Sequence, residues 1–241
     1  MPDESTRLFA TRSERYPEPS DADIAQGTAR AALSAIPVLG GTITEVLSMV
    51  LAPAVARRRD QWFKELADGL EDLEKKFDGF RVQDLEHDEA FVSAVIEASR
   101  AAISTHQAEK REALRNAILN IALKRSPGED QEAIFIKYID DLTVWHIRIL
   151  SLFQNPSKKL AEKGIILNYM SAGASVVLES YYPEIAGRRE LYDQIVADLN
   201  ARGLSNSPNF LHTMMTQQGL TTKRTTPLAD KFLAFISDPL C

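Results

Sequence analysis

Apolar side chains recur along most of this chain at intervals of three and four residues, the spacing that lays one stripe along an α-helix, and the stripes are interrupted at Pro, Gly and Asn. Over residues 53–77, Trp62, Phe63, Leu66, Leu70, Leu73 and Phe77 form such a stripe, which starts at Pro53 and is ended by Asp78-Gly79. Asp88 is placed to cap one long helix whose stripe is Val92, Val95, Ser99, Ala102, Ile103, Ala113, Leu114, Ala117, Ile118 and Ile121, with Ser126-Pro127-Gly128 as its stop. A further single helix is predicted over residues 129–153, where Ile134, Phe135, Tyr138, Ile139, Leu142, Trp145, Ile149 and Phe153 make a wide apolar face that Asn155-Pro156 closes.

The two ends of the chain differ from this middle. Residues 1–20 mix charges, Ser and Pro without an apolar period and read as a mobile tail; Ser20, with Asp23 three residues on, opens a helix through Ala35. Residues 31–56 hold a single charge, Glu45, and are divided by Pro37 and Gly40-Gly41 into two short apolar helices, with Arg57-Arg58-Arg59 directly after them. Beyond Pro156 the elements shorten. One or two helices are expected over 157–181, Tyr182-Pro183 interrupts them, and residues 187–204 carry Leu191, Ile195, Val196 and Leu199 on one face with Gly203 as a cap. The runs "FLHTMMT" and "LTTKRTT", either side of a Gln-Gln-Gly turn, predict a β-hairpin, and Leu228, Phe232, Leu233 and Ile236 a terminal helix.

The series "DLNARGL", a Gln-Gly turn and "KRTTPLADKFLAFI" resembles the C-terminal half of winged-helix domains over residues 186–236, although Ala229 stands where such domains commonly place Gly. The resemblance implies that residues 187–202 take the recognition-helix position and 221–226 the wing. Arg188, Arg189, Arg202, Lys223 and Arg224 then become the candidates for contact with nucleic acid or a partner. The expected architecture is mainly α: a mobile tail (1–20), a helical bundle (21–156) and a small winged-helix-like module with one β-hairpin (157–241). This layout resembles bacterial proteins of the abortive-infection-alpha type, which implies a non-enzymatic role in bacterial stress or phage defence and supplies no site residue.

Charge weakens the nucleic-acid reading. The net charge is −6, and residues 60–89 carry eleven acidic against four basic side chains. In the winged-helix-like part, Arg188, Arg189 and Arg202 are matched by Glu190, Asp193 and Asp198. A DNA-binding module ordinarily brings a surplus of cations to the phosphates. The expected role is therefore to hold a protein partner or to self-associate, with a winged-helix DNA-binding transcriptional regulator as the alternative.

Residues 31–56 raise a membrane question by their length and their Arg flank. Pro37 and Gly40-Gly41 break the helix, and Glu45 near the centre costs about 2.5–3.5 kcal/mol on insertion scales. Ile36, Pro37, Gly40, Gly41 and Glu45 thus mark a hairpin that is either packed core or conditionally membrane-active. On the long helix, His106 and Lys110 continue the stripe of Ile103 and Ala113, so a buried polar cluster with His146 is expected.

No Gly-rich phosphate loop, His-Glu-x-x-His, Gly-x-Ser-x-Gly elbow or Cys pair occurs in the sequence, and the four histidines fall on separate elements. No cofactor, metal or catalytic residue is expected. The single Cys241 and the polar N-terminal residues fit a cytoplasmic protein.

Overall fold

Pro53, expected to start a helix, lies inside one: α1 runs Thr42–Lys76 without interruption. The computed structural model describes residues 42–240, with side chains from residue 46 onward. The expected tail, the helix opened by Ser20, and Ile36, Pro37, Gly40 and Gly41 fall outside the described residues, and Glu45 falls within α1. Pro53 cannot bond the Met49 carbonyl, at a cost of about 3 kcal/mol, but the helix-forming turns on either side carry it through. The first unit of the chain, Met1–Ala56, contributes the start of α1, where Val46, Met49 and Val50 are exposed.

The second unit is Arg57–Cys241. Within it Trp62, Leu66 and Leu73 of α1 are buried, and the Trp62 indole N–H donates to Ser99 Oγ at 2.8 Å. After a 3-10 turn at Val82–Leu85, Asp88 caps the next helix as expected, its Oδ1 accepting from the Phe91 N–H at 3.0 Å. The single long helix is not formed. Instead α2 (Glu89–Ser104) and α3 (Ala108–Ala122) are separate and pack on each other. Thr105 is extended and its hydroxyl accepts from the Gln107 N–H at 3.2 Å, so local side-chain bonding displaces the helical ladder.

The helix expected over 129–153 is likewise two, α4 (Glu129–Asp141) and α5 (Val144–Gln154). Leu142 and Thr143 are extended, and a capping box between Thr143 and His146 restarts the chain as α5. Asn155 then caps a short helix, α6 (Pro156–Glu162), through Oδ1 and the Lys158 N–H at 3.1 Å.

The C-terminal part continues with β1 (Ser171–Ala172), α7 (Ser175–Tyr181), a 3-10 turn (Pro183–Ile185), α8 (Arg189–Ala201), β2 (Met215–Thr216), α9 (Gln217–Leu220) and α10 (Pro227–Phe235). The described residues are mainly helical, with one small antiparallel sheet among them. Of the two runs expected on either side of Gln-Gln-Gly, the first holds β2, but its partner is β1 rather than the second run, in the register Ser171↔Thr216 and Ala172↔Met215. Thr216 instead caps α9, its Oγ1 accepting from the Gly219 N–H at 3.4 Å, and Thr225 bridges to Ser205.

The core crosses the expected boundary at 156. Phe135 of α4 lies 5.4 Å from Phe232 and 5.6 Å from Phe235 of α10, ring centre to ring centre. On α3, Asn120 Nδ2 donates to the carbonyls of Phe235 (3.0 Å) and Ser237 (2.9 Å), and Asn116 Nδ2 to that of Ile236 (3.1 Å). These bonds satisfy carbonyls that the end of α10 would otherwise leave open.

Candidate functional site

Of the expected cluster of His106, Lys110 and His146, the structure keeps two members. His106 is exposed, because it sits in the break between α2 and α3 rather than on a helical stripe. Lys110 is 8% exposed and its ammonium donates to the Asp140 carbonyl at 2.6 Å. Burial holds its pKa below the ordinary lysine range against the pull of Asp140 and Asp141.

His146 is 7% exposed. The Thr143 backbone N–H, which can only donate, points at its Nδ1 from 3.2 Å, so the neutral ring carries its proton on Nε2. That Nε2 faces Asp198 Oδ2 at 3.6 Å, too far for a hydrogen bond, and is otherwise unpartnered. Burial lowers the His146 pKa; Asp198 pulls it up, while Arg202 and Lys110 push it down.

The consequence for pH is directional. The unfolded chain protonates its imidazole near pH 6.5 and the folded ring only at lower pH, so the ring's contribution to stability is complete above about 6.5 and is lost as pH falls through the folded pKa. We expect denaturant unfolding to show this loss, and His146→Gln, which keeps an acceptor for the Thr143 amide, to lack that part of the slope. Equal slopes in the two proteins would mean that the ring is not held neutral.

Next to Thr143, Gln107, Ala108, Glu109, Val144, Trp145 and Arg148 line an open hollow of ≈ 330 Å³. Its charged groups satisfy each other: Arg148 Nε donates to Glu109 Oε2 at 2.9 Å, and the guanidinium lies 5.1 Å from the Trp145 ring centre. Among the described residues no group of three or more His, Cys, Asp or Glu side chains is arranged to hold a metal ion.

The five candidate cations are spread over α8 and the segment before α10. Arg188 is exposed at the start of α8, and Arg189 Nε lies 3.5 Å from Asp193 Oδ2. Arg202, a helix length of about 20 Å away, pairs with Asp141 at 3.3 Å and lies over the Tyr138 ring at 5.4 Å. Lys223 pairs with Asp230. Arg224 is an internal tie, with Nη2 donating to the Gly219 carbonyl at 2.9 Å and its backbone N–H to that of Phe153, also at 2.9 Å. Four of the five are thus engaged within the fold.

A different surface stands out around β1 and β2. Ile166 is 89% exposed, Met170 97% and Met214 66%, with Tyr169 beside them. Met170 precedes β1 and Met214 precedes β2, and the Gln217 side-chain amide donates to the Leu167 carbonyl at 2.8 Å, which draws the Ile166 loop to the same sheet. The stretches that meet here, residues 164–178 and 205–222, contain no Asp, Glu, Lys or Arg, although 26% of the chain is charged. These two charge-free runs are legible in the sequence, but nothing in it says that the chain brings them together. Comparison with protein-family models, with characterised proteins and with solved structures finds no match for this chain.

Proposed function

We propose that this is a non-enzymatic helical interaction protein of the cytoplasm, whose C-terminal part holds a protein partner on the exposed apolar side chains around β1 and β2. The observation that carries the proposal is the exposure of Ile166, Met170 and Met214 in two stretches that hold no Asp, Glu, Lys or Arg. Interface cores are depleted of charged residues and enriched in Met and aromatic side chains. Burying each of these side chains fully is worth roughly 1.5–3 kcal/mol, and Met adapts its shape to the surface it meets. The setting implied by the layout resemblance, bacterial stress or phage defence, enters this proposal through that resemblance alone.

Residues 31–56 act in this reading as packed core or as a releasable membrane-active element. The exposed Val46, Met49 and Val50 support an element that finds its apolar contacts elsewhere. Among the described residues no helix is long and apolar enough to cross a membrane.

The DNA-binding alternative gains little from the candidate cations, since Arg189, Arg202 and Lys223 already face carboxylates. A photoactivatable residue placed at position 170 tests the proposal in living cells. We expect a covalent product with protein that is lost when Ile166 is also changed to Asp. Absence of any protein product, together with duplex binding at ~50 mM salt that weakens steeply as salt is added, would turn the assignment to the DNA reading.

A further inference from the structure

We propose that the start of α1 seats in a lipid surface with anionic headgroups, entering one leaflet with Arg57 at headgroup level. The inference rests on the membrane-active reading of residues 31–56 and not on the partner contact around β1 and β2. Val46, Leu47, Met49, Val50 and Leu51 are all exposed, from 38% at Leu51 to 77% at Met49. Successive residues of a helix are turned by about 100°, so these five cover an arc of roughly 200°, from Met49 through Val46 to Leu51. A helix packed on a protein face buries a stripe of roughly 100° or a little more. One covering helix, from this chain or from a second copy, would therefore leave much of the arc in water. Hydrocarbon surrounds an inserted helix on every side, and it admits a helix that is apolar all round.

Length and charge fit the same surface. No charged residue occurs in the eleven residues from Val46 to Ala56, which span roughly 16 Å of helix, about half of the ~30 Å hydrocarbon core. Such a stretch reaches into one leaflet without crossing it, in keeping with the absence of a membrane-crossing helix among the described residues. Arg57, Arg58 and Arg59 follow directly, and the acidic excess of residues 60–89 begins only after them. Arg59 is held by Asp60 at 3.0 Å and Arg58 reaches the Ser104 carbonyl at 3.4 Å. Arg57 is exposed and, of the three, is the one without a protein partner among the described residues. A cation at the end of an inserted helix is drawn to anionic headgroups. Glu45, the one charge in residues 31–56, opposes insertion and makes it conditional.

Flotation of the full chain with lipid vesicles reads the outcome. Binding is expected to vesicles of phosphatidylcholine and phosphatidylglycerol in equal parts, and weaker binding to phosphatidylcholine alone. Met49→Asp combined with Val50→Asp should lower the partition by more than about tenfold, equivalent to 1.4 kcal/mol. Both side chains are exposed, so the helical circular dichroism should stay unchanged. Arg57→Glu should weaken binding to the anionic vesicles, and Glu45→Gln should tighten it. A polarity-sensitive dye on Met49→Cys, in a Cys241→Ser background, should move from water to an apolar setting when vesicles are added. No binding, equal binding to the two kinds of vesicle, or binding that survives the paired Asp change overturns the inference. A dye already shielded without lipid overturns it too: the cover is then residues 31–40 if the signal is independent of concentration, and a second copy if it grows with concentration. Cross-linking from position 170 should be the same in every variant, so its absence removes the partner reading and leaves this one standing.

Discussion

Replacing Phe135 with Ala is expected to destabilise the Arg57–Cys241 unit by about 3–5 kcal/mol, the usual cost of emptying a buried phenyl site, and to do so in one transition. Phe135 is fully buried, and its ring meets Phe232 and Phe235 from α10 and Tyr138 from its own helix, at 5.4, 5.6 and 6.2 Å. The cavity would lie between elements fixed on other sides. Asn116 and Asn120 tie the end of α10 to α3, so α10 cannot move in to fill it without breaking those bonds. Because the contact joins residues far apart in sequence, the loss should be felt on both sides of Asn155-Pro156. Hydrogen exchange checks this: amides of α3 and of α10 should lose protection together. If α10 alone became labile while α3 kept its protection, the bundle and the C-terminal part would be separate cooperative units.

What the sequence reveals and what it hides follow from the range of the interactions. Helical periodicity locates nearly every described helix, because burying one stripe is a local pattern of three- and four-residue steps. It merges α2 with α3 and α4 with α5, because an apolar stripe persists across both breaks while the signals that stop the helices are polar. Ser104 and Thr105 bond neighbouring backbone at the first break, and Thr143 with His146 forms a capping box at the second. Ser104-Thr105 and Thr143-x-x-His146 mark these two breaks in the sequence as Pro and Gly mark others, and His106 falls in the first of them, outside any helical stripe.

The strands were harder. The runs around Gln-Gln-Gly have β-branched composition and a turn between them, so a hairpin is the local expectation. The chain instead continues from Thr216 into α9, and Arg224 closes the loop by reaching the Gly219 carbonyl and the Met215 sulfur. Pairing of β2 with β1 joins segments more than forty residues apart, and no pattern within either one encodes it. The candidate cations were legible as residues, but their carboxylate partners Asp141 and Asp230 lie on other elements or beyond the wing, and only the fold pairs them.

Gly173→Ala is the substitution expected to damage the candidate interaction face most directly. A Cβ at Gly173 would stand 2.3 Å from the Leu211 carbonyl oxygen and 3.2 Å from the His212 Cα, both backbone atoms that no rotamer change can clear. The approach is close because two segments meet there: the Ser175 N–H donates to that same Leu211 carbonyl at 3.0 Å, and the β1–β2 ladder follows directly. One methyl group must therefore push residues 171–175 away from 211–216, with a cost at or above the 1–3 kcal/mol typical of overpacking. The separation would break the ladder and scatter Ile166, Met170 and Met214, whereas Phe135 and the α3–α10 contacts lie in other elements and should persist. The thermal unfolding temperature should fall, and amide protection should drop at Ala172, Ser175 and Met215 before α3 is affected. Gly173→Ala with unchanged stability and unchanged protection at Ser175 would mean that the two segments are not packed backbone to backbone, and the face would lose its structural basis.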